Sequence, residues 1–180
     1  MTRPTLETER LLLRPFRLLD APDVRRLASA REIAAGTLMI PHPYPAGAAE
    51  AWIGGHESAF ERGESVDLAA VHRKDDVLVG AVGLVLRREH NRAELGYWIG
   101  VPYWNHGYAT EAASTVLRYA FETMDLHRVY AFHFTTNPAS GRVLEKIGMT
   151  HEGTRRGHTL KWGEYLDNEA YGILRDEWRA

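Results

Sequence analysis

One segment leaves this chain few folds to choose from. After Gly107, the residues Ala109, Ala112, Ala113, Val116, Leu117, Ala120, Phe121 and Met124 recur at helical spacing and share one face. An apolar helix face must be covered. The small alanines let this one sit close to a flat partner, which means a sheet. Strand patterns flank it on both sides. In "RAELGYWIGV" (92–101), Leu95, Tyr97 and Ile99 alternate with Glu94, Gly96 and Trp98, and "RVYAFHF" (128–134) is rich in aromatic residues. Strand, helix and strand together read as a crossover unit. Pro102 has no N–H to give to a ladder, so regular pairing should fail at the end of the first strand.

The rest of the chain completes a mixed fold. "RLLLRPF" (10–16) opens it with a strand, and Asp20 stands as N-cap before a helical run through Val24, Leu27 and Ala28. "GTLMIPHPYPAG" (36–47) is a loop, too apolar for a plain linker, and "AAEAWIGGHESAFERG" (48–63) is a second helix. Strands at 66–73 and 77–87 are joined by the turn "KDD". "NPASGRVLEKIG" (137–148) is a short helix with Asn137 as N-cap, Pro138 at its first position and Gly148 at its end. Two long strands around a turn near Gly163 close the chain. The expectation is one α+β domain over 1–180: a mostly antiparallel sheet of about six to seven strands, with helices on both faces.

Composition narrows the function classes. Apolar residues make up 44% and charged residues 26%, as in a globular domain that can bury a core. A formal net charge of −2 gives no footing for nucleic acid or an anionic membrane. The absence of cysteine excludes disulfides, thiolate metal sites and a cysteine nucleophile, and fits a reducing cytoplasm. The N-terminus is polar, without a signal peptide, and no apolar run reaches the ~18–20 residues of a membrane helix. A cytoplasmic protein is expected. The nine histidines show no His-Glu-x-x-His or paired ligand spacing, so no metal is expected. Ser140 does not sit in Gly-x-Ser-x-Gly, which leaves hydrolase chemistry without support.

The stretch that carries chemistry is "YWNHGYATEA" (103–112), at the mouth of the alanine-rich helix. Glycine costs helix stability, and bare N–H groups at the positive end of a helix dipole make an anion site. No Walker lysine follows Gly107, and the three glycines of a dinucleotide fingerprint are missing. On local sequence alone, a tight turn is as good a reading. Opposite it, in the next β–α unit, stands "NPAS". Together the two could cradle a ligand with an amide-bearing arm and a phosphate group.

Four pieces of sequence carry a family resemblance: "ETERLLLRPF", "AELGYWIGVPYWNHGYATEA", "NPASGRVLEKIGM" and "HEG". Together, from Glu7 to Trp178, they resemble the GNAT superfamily of acetyl-CoA-dependent N-acetyltransferases, in its RimJ/RimL-type branch. The superfamily's pyrophosphate loop, Gln/Arg-x-x-Gly-x-Gly/Ala, reads Trp104-Asn105-His106-Gly107-Tyr108-Ala109 here. Trp104 replaces the Gln/Arg, and His106 stands where a lysine or arginine is often found.

The resemblance implies a splayed sheet, with the pantetheine arm of coenzyme A filling the gap. His106, Gly107, Tyr108, Ala109 and Thr110 would hold the pyrophosphate, backbone at Ile99 and Val101 would pair with the arm, and Asn137 would bond it from the other side. Glu94 would be the general base, through a water, and Ser140 the donor to the departing thiolate. Structural roles stay open for each: a cross-strand partner of Arg92 or Arg128, a first-turn serine, an N-cap. The proline-rich loop would be an acceptor-side lid, with Tyr44 as an acceptor contact. The implied acceptor is a primary amine, first the N-terminal α-amine of a protein or peptide. A polyamine, aminoglycoside or amino-acid analogue, or a non-catalytic acyl-CoA sensor, is the alternative. At pH 7 an α-amine costs about 1.4 kcal/mol to deprotonate, against about 4.6 kcal/mol for a lysine. The resemblance also allows a homodimer, with the final hairpin as its contact.

Overall fold

The computed structural model describes residues 2–179. Its eight strands are β1 (Leu6–Glu7), β2 (Leu11–Pro15), β3 (Ser65–His72), β4 (Val77–Arg87), β5 (Arg92–Ile99), β6 (Arg128–Phe134), β7 (Thr150–Lys161) and β8 (Glu164–Leu174). They form one open sheet in the order β1-β2-β3-β4-β5-β6-β8-β7. Neighbours run antiparallel except β5 and β6, which are parallel. The strand beyond the expected count is β1. It pairs Leu6 with Leu13 and Glu7 with Leu12, and is too short to leave a period of two in the sequence.

The helices are α1 (Ala21–Ala28), α2 (Arg31–Gly36), α3 (Ala48–Glu61), α4 (Tyr108–Glu122) and α5 (Pro138–Lys146). The sequence announces all but α2, whose six residues begin without a side-chain cap. The alanine-rich face of α4 meets the sheet as its pattern requires. Ala112, Ala113, Val116, Leu117, Ala120 and Phe121 are each at most 1% exposed, in a core shared with Leu68, Leu84, Leu95 and Val129. Leu144 of α5 and Ile147 just past its end join that core. On the opposite face, Ala21, Val24 and Leu27 of α1 and Ala49 and Ile53 of α3 pack on Ala69, Val71 and Ala81. Strand alternation makes this division: Leu68 and Ala70 look one way, Ala69 and Val71 the other.

Asp20 precedes α1 as expected, but its carboxylate does not cap the helix. It turns back and accepts from Arg14 Nη1 and Nη2 at 2.7 and 2.8 Å and from the Arg17 N–H at 2.8 Å. A buried carboxylate gains more from a bidentate guanidinium than from one capping bond. Burial pushes its pKa up, but these bonds outweigh it and hold the group below its ordinary value. No helix among the described residues is long and apolar enough to cross a membrane.

Candidate active site

The sheet is splayed at its centre. β5 and β6 pair only through Arg92–Arg128, Ala93–Val129 and Glu94–Tyr130. Beyond Glu94, β5 follows β4 as far as Ile99 opposite Gly80, while β6 follows β8 as far as Phe134 opposite Asn168. A gap opens between them. The Gly100 N–H donates to the Val79 carbonyl at 2.8 Å, which marks Ile99–Gly80 as a non-hydrogen-bonded pair. Alternation then turns the peptide groups of Tyr97 and Ile99 away from β4 and toward the gap. The Ile99 carbonyl takes the Trp104 indole N–H at 2.6 Å. That leaves the Ile99 N–H on the gap side.

At one end of the gap lies the start of α4. Its N-cap, Gly107, has φ +79 and no side-chain cap, and Asn105 before it has φ +63. The N–H groups of Tyr108, Ala109 and Thr110 therefore lack intrahelical acceptors and sit at the positive end of the dipole. Arg10 braces this turn. Its Nη1 donates to the His106 carbonyl at 2.8 Å, its Nε to Glu111 at 2.7 Å, and its guanidinium lies 4.8 Å from the Tyr108 ring centre. Burial pushes the Glu111 carboxyl up, but bonds from Thr8 and Arg10 hold it below its ordinary value.

A cavity of about 640 Å³ opens on this turn, lined by Asn105, Gly107, Tyr108, Ala109, Thr110 and Asn137, among others. Arg142 and Lys146, four apart on α5, bring positive charge to it. Sequence reasoning missed both, although their i, i+4 spacing was there to read. The side chains of two further expected members are outside this lining. The exposed His106 ring folds back, its Nδ1 2.7 Å from the Trp104 carbonyl and its plane stacked on Tyr108 at 5.5 Å. Val101 is half-buried in a short 3-10 turn outside the lining.

A second cavity, of about 870 Å³, lies on the α1–α3 side. Glu94, Tyr44, Trp52, Arg92 and Arg155 line it, so Glu94 and Tyr44 share one chamber. Burial pushes the Glu94 carboxyl above its ordinary value, against a smaller opposing pull from Arg87 and Arg155. Burial, reinforced by Glu50, likewise raises the Tyr44 phenol. The two cavities meet at Gly36, Thr37, Tyr97, Trp98 and Ser140.

Ser140 thus stands at the junction. The Tyr97 hydroxyl lies 2.9 Å from its Oγ and donates to its carbonyl at 3.0 Å. Burial pushes that phenol up to about 12, against the Ser140 bond, so it keeps its proton near neutral pH. Tyr97 reads in the sequence only as one inward position of a strand; its partner is 43 residues away. Asn137 does cap α5, accepting from the Ser140 N–H at 3.4 Å, and it faces the first cavity as well. No hydrogen bond joins Glu94 to Ser140 among the described residues; the two occupy different parts of the chamber. No cluster of three potential metal-ligating side chains occurs among those residues.

Residues 10–150 match the family model described as "Acetyltransferase (GNAT) domain". The chain is 31% identical over 173 residues to the uncharacterized N-acetyltransferase YoaA of Bacillus subtilis (strain 168), covering 96% of this chain and 97% of the relative. It is 25% identical over 139 residues to the ribosomal protein uS5-alanine N-acetyltransferase of Escherichia coli (strain K12), covering 76% and 71% of the two chains. In fold it resembles Mycobacterium smegmatis RimJ in complex with CoA-disulfide, with a TM-score of 0.87, 23% identity, and coverage of 97% of this chain and 89% of that one.

Proposed function

The chain belongs to the GNAT acetyltransferase family, and from that premise we propose that it transfers the acetyl group of acetyl-CoA to a primary amine, first of all the N-terminal α-amine of a protein or peptide. The observation that carries this reading is the meeting of two cavities at Ser140 and Tyr97. One opens on an uncapped helix N-terminus and the other on a half-buried carboxylate.

The first cavity suits coenzyme A. The N–H groups of Tyr108, Ala109 and Thr110 would take its pyrophosphate. Arg142 and Lys146 add positive charge beside them. Asn137 and the gap-facing peptide groups of Tyr97 and Ile99 would take the amides of the pantetheine arm, and the Ile99 N–H is a donor for a developing oxyanion. Acetyl-CoA supplies the acetyl group as a thioester. In the reaction the amine nitrogen bonds to the acetyl carbon and the C–S bond breaks. A chain of waters carries the amine proton to Glu94, and the Ser140 hydroxyl, fixed by Tyr97, gives a proton to the sulfur and regains one from solvent.

The second cavity is then the acceptor chamber. One half-buried carboxylate is modest help, enough for an α-amine at about 1.4 kcal/mol but small against the 4.6 kcal/mol, roughly, of a lysine. The uS5-alanine relative points the same way. The test is thiol release from acetyl-CoA across peptides with free and blocked N-termini, a lysine peptide, polyamines and aminoglycosides. Turnover confined to free N-termini is expected. Turnover confined to polyamines or aminoglycosides would replace the acceptor, and coenzyme A binding with no turnover at all would favour a sensor.

A further inference from the structure

The acceptor chamber holds a polar group that this mechanism does not use. Asn168 is 8% exposed and lines the chamber. Its Nδ2 donates to Thr159 Oγ1 at 3.1 Å, and Thr159, 9% exposed, lines the same chamber. The amide oxygen Oδ1 is buried and has no partner among the described residues. Two cations stand nearby, and both are engaged elsewhere. Arg155, opposite Asn168 in the β7–β8 ladder, lies over the Phe132 ring at 4.1 Å. Lys161 donates to the Thr37 carbonyl at 2.6 Å. A buried acceptor left without a donor is costly. In a chamber wall, an incoming ligand can supply the donor.

The position of Asn168 says which ligand. It pairs in register with Phe134. The Phe134 ring lies 5.9 Å from Lys161 Nζ, Lys161 holds Thr37, and Thr37 lines both cavities. This series of neighbours runs from Asn168 toward the junction. Glu94, in register with Tyr130, is four strand residues farther back along β6, roughly 13 Å at about 3.3 Å per residue. The open atom is an acceptor only, so the ligand must bring a donor, which an amine does.

We propose that Asn168, oriented by Thr159, binds the acceptor amine: its Oδ1 accepts a hydrogen bond from the amine N–H and aims the nitrogen lone pair at the junction. This rests on the acetyl-transfer reading. The experiment is steady-state kinetics of wild type, Asn168→Leu, Asn168→Asp and Thr159→Val with the best acceptor of the panel, beside thermal melts.

For Asn168→Leu the acceptor KM rises about tenfold, the worth of one hydrogen bond, while the acetyl-CoA KM stays within about twofold and the melt is not lowered. Asn168→Asp, which keeps an acceptor oxygen, stays closer to wild type. Thr159→Val, which only frees the amide to turn, raises the acceptor KM by about threefold, and it carries the test if the leucine variant does not fold. An unchanged acceptor KM, or both KM values moving together with a lower melt, overturns the proposal. Failure of wild type to acetylate any amine overturns the acetyl-transfer reading, and this one with it. Wild-type turnover with an indifferent Asn168→Leu overturns this one alone.

Discussion

In the cavity proposed for coenzyme A the groups able to bind are mostly peptide groups: the N–H of Tyr108, Ala109 and Thr110 at α4, and those of Tyr97 and Ile99 along the gap. In the chamber proposed for the acceptor they are side chains, among them Glu94, Tyr44, Arg155, Thr159 and Asn168, drawn from β5, β7, β8 and the proline-rich loop. The difference matters. A backbone cradle needs one glycine and one helix start, and tolerates most changes of side chain around it. A side-chain wall is specified residue by residue, by segments distant in sequence. The same fold can therefore keep its cofactor and change its acceptor.

The largest effect is expected on the acceptor side. Glu94→Gln should lower kcat by ~10²–10⁴-fold, the usual worth of a general base, and leave the acetyl-CoA KM alone. The pH profile sharpens this. Burial raises the Glu94 pKa in the folded state, so the folded chain holds that proton more tightly than the unfolded chain does. Stability is then lost as pH rises from the unfolded pKa through the folded one. Above both values the charged carboxylate costs stability, and Glu94→Gln should melt higher than wild type. Below both, the two should converge. The acid limb of kcat/KM should lie above the ordinary glutamate value of about 4.3 and vanish in the variant. If kcat survives the substitution, the chamber has no base at this position, and the amine loses its proton by another route.

The same contrast explains what the sequence made legible. The α4 face, Gly107 at the head of the helix and the Asn137 cap are local patterns, and all three appear as read. The splay is implied by the resemblance, and Pro102 marks only a break in pairing through its own missing N–H. In the structure the strands part just after Glu94, eight residues earlier: β5 stays with β4 as far as Ile99, and β6 stays with β8 on its other edge. That divergence is set by pairings between segments far apart and leaves no local mark. Tyr97 against Ser140, and Asn168 against Thr159, are invisible for the same reason. The second pair also needs the register shift between Arg155 and Thr159 in β7, which no alternation pattern announces.

On the cofactor side, the backbone cradle should be vulnerable only where its conformation is. Gly107 has φ +79, and an added Cβ would lie 3.4 Å from the Arg10 guanidinium. The left-handed conformation alone costs an L-residue roughly 1–2 kcal/mol. Gly107→Val should raise the acetyl-CoA KM about tenfold or more, with the acceptor KM at saturating acetyl-CoA unchanged. A shift in the acceptor KM instead would show that the two cavities are not independent.

The smallest effect is the most discriminating. His106 occupies a loop position where relatives of this type often place a cation, so resemblance assigns it a share of phosphate affinity. Its ring is spent on the loop itself, against the Trp104 carbonyl and the Tyr108 ring. What His106 gives the turn is its carbonyl, which Arg10 holds and which alanine retains. His106→Ala should therefore change the acetyl-CoA KM by no more than about twofold, as for a surface substitution away from any binding group. Isothermal titration with coenzyme A would read the same quantity without turnover. A loss of tenfold in either measurement would mean that the ring swings into the cavity when phosphate arrives. The cofactor wall would then depend on a side chain after all, and the contrast with the acceptor chamber would narrow to one of degree.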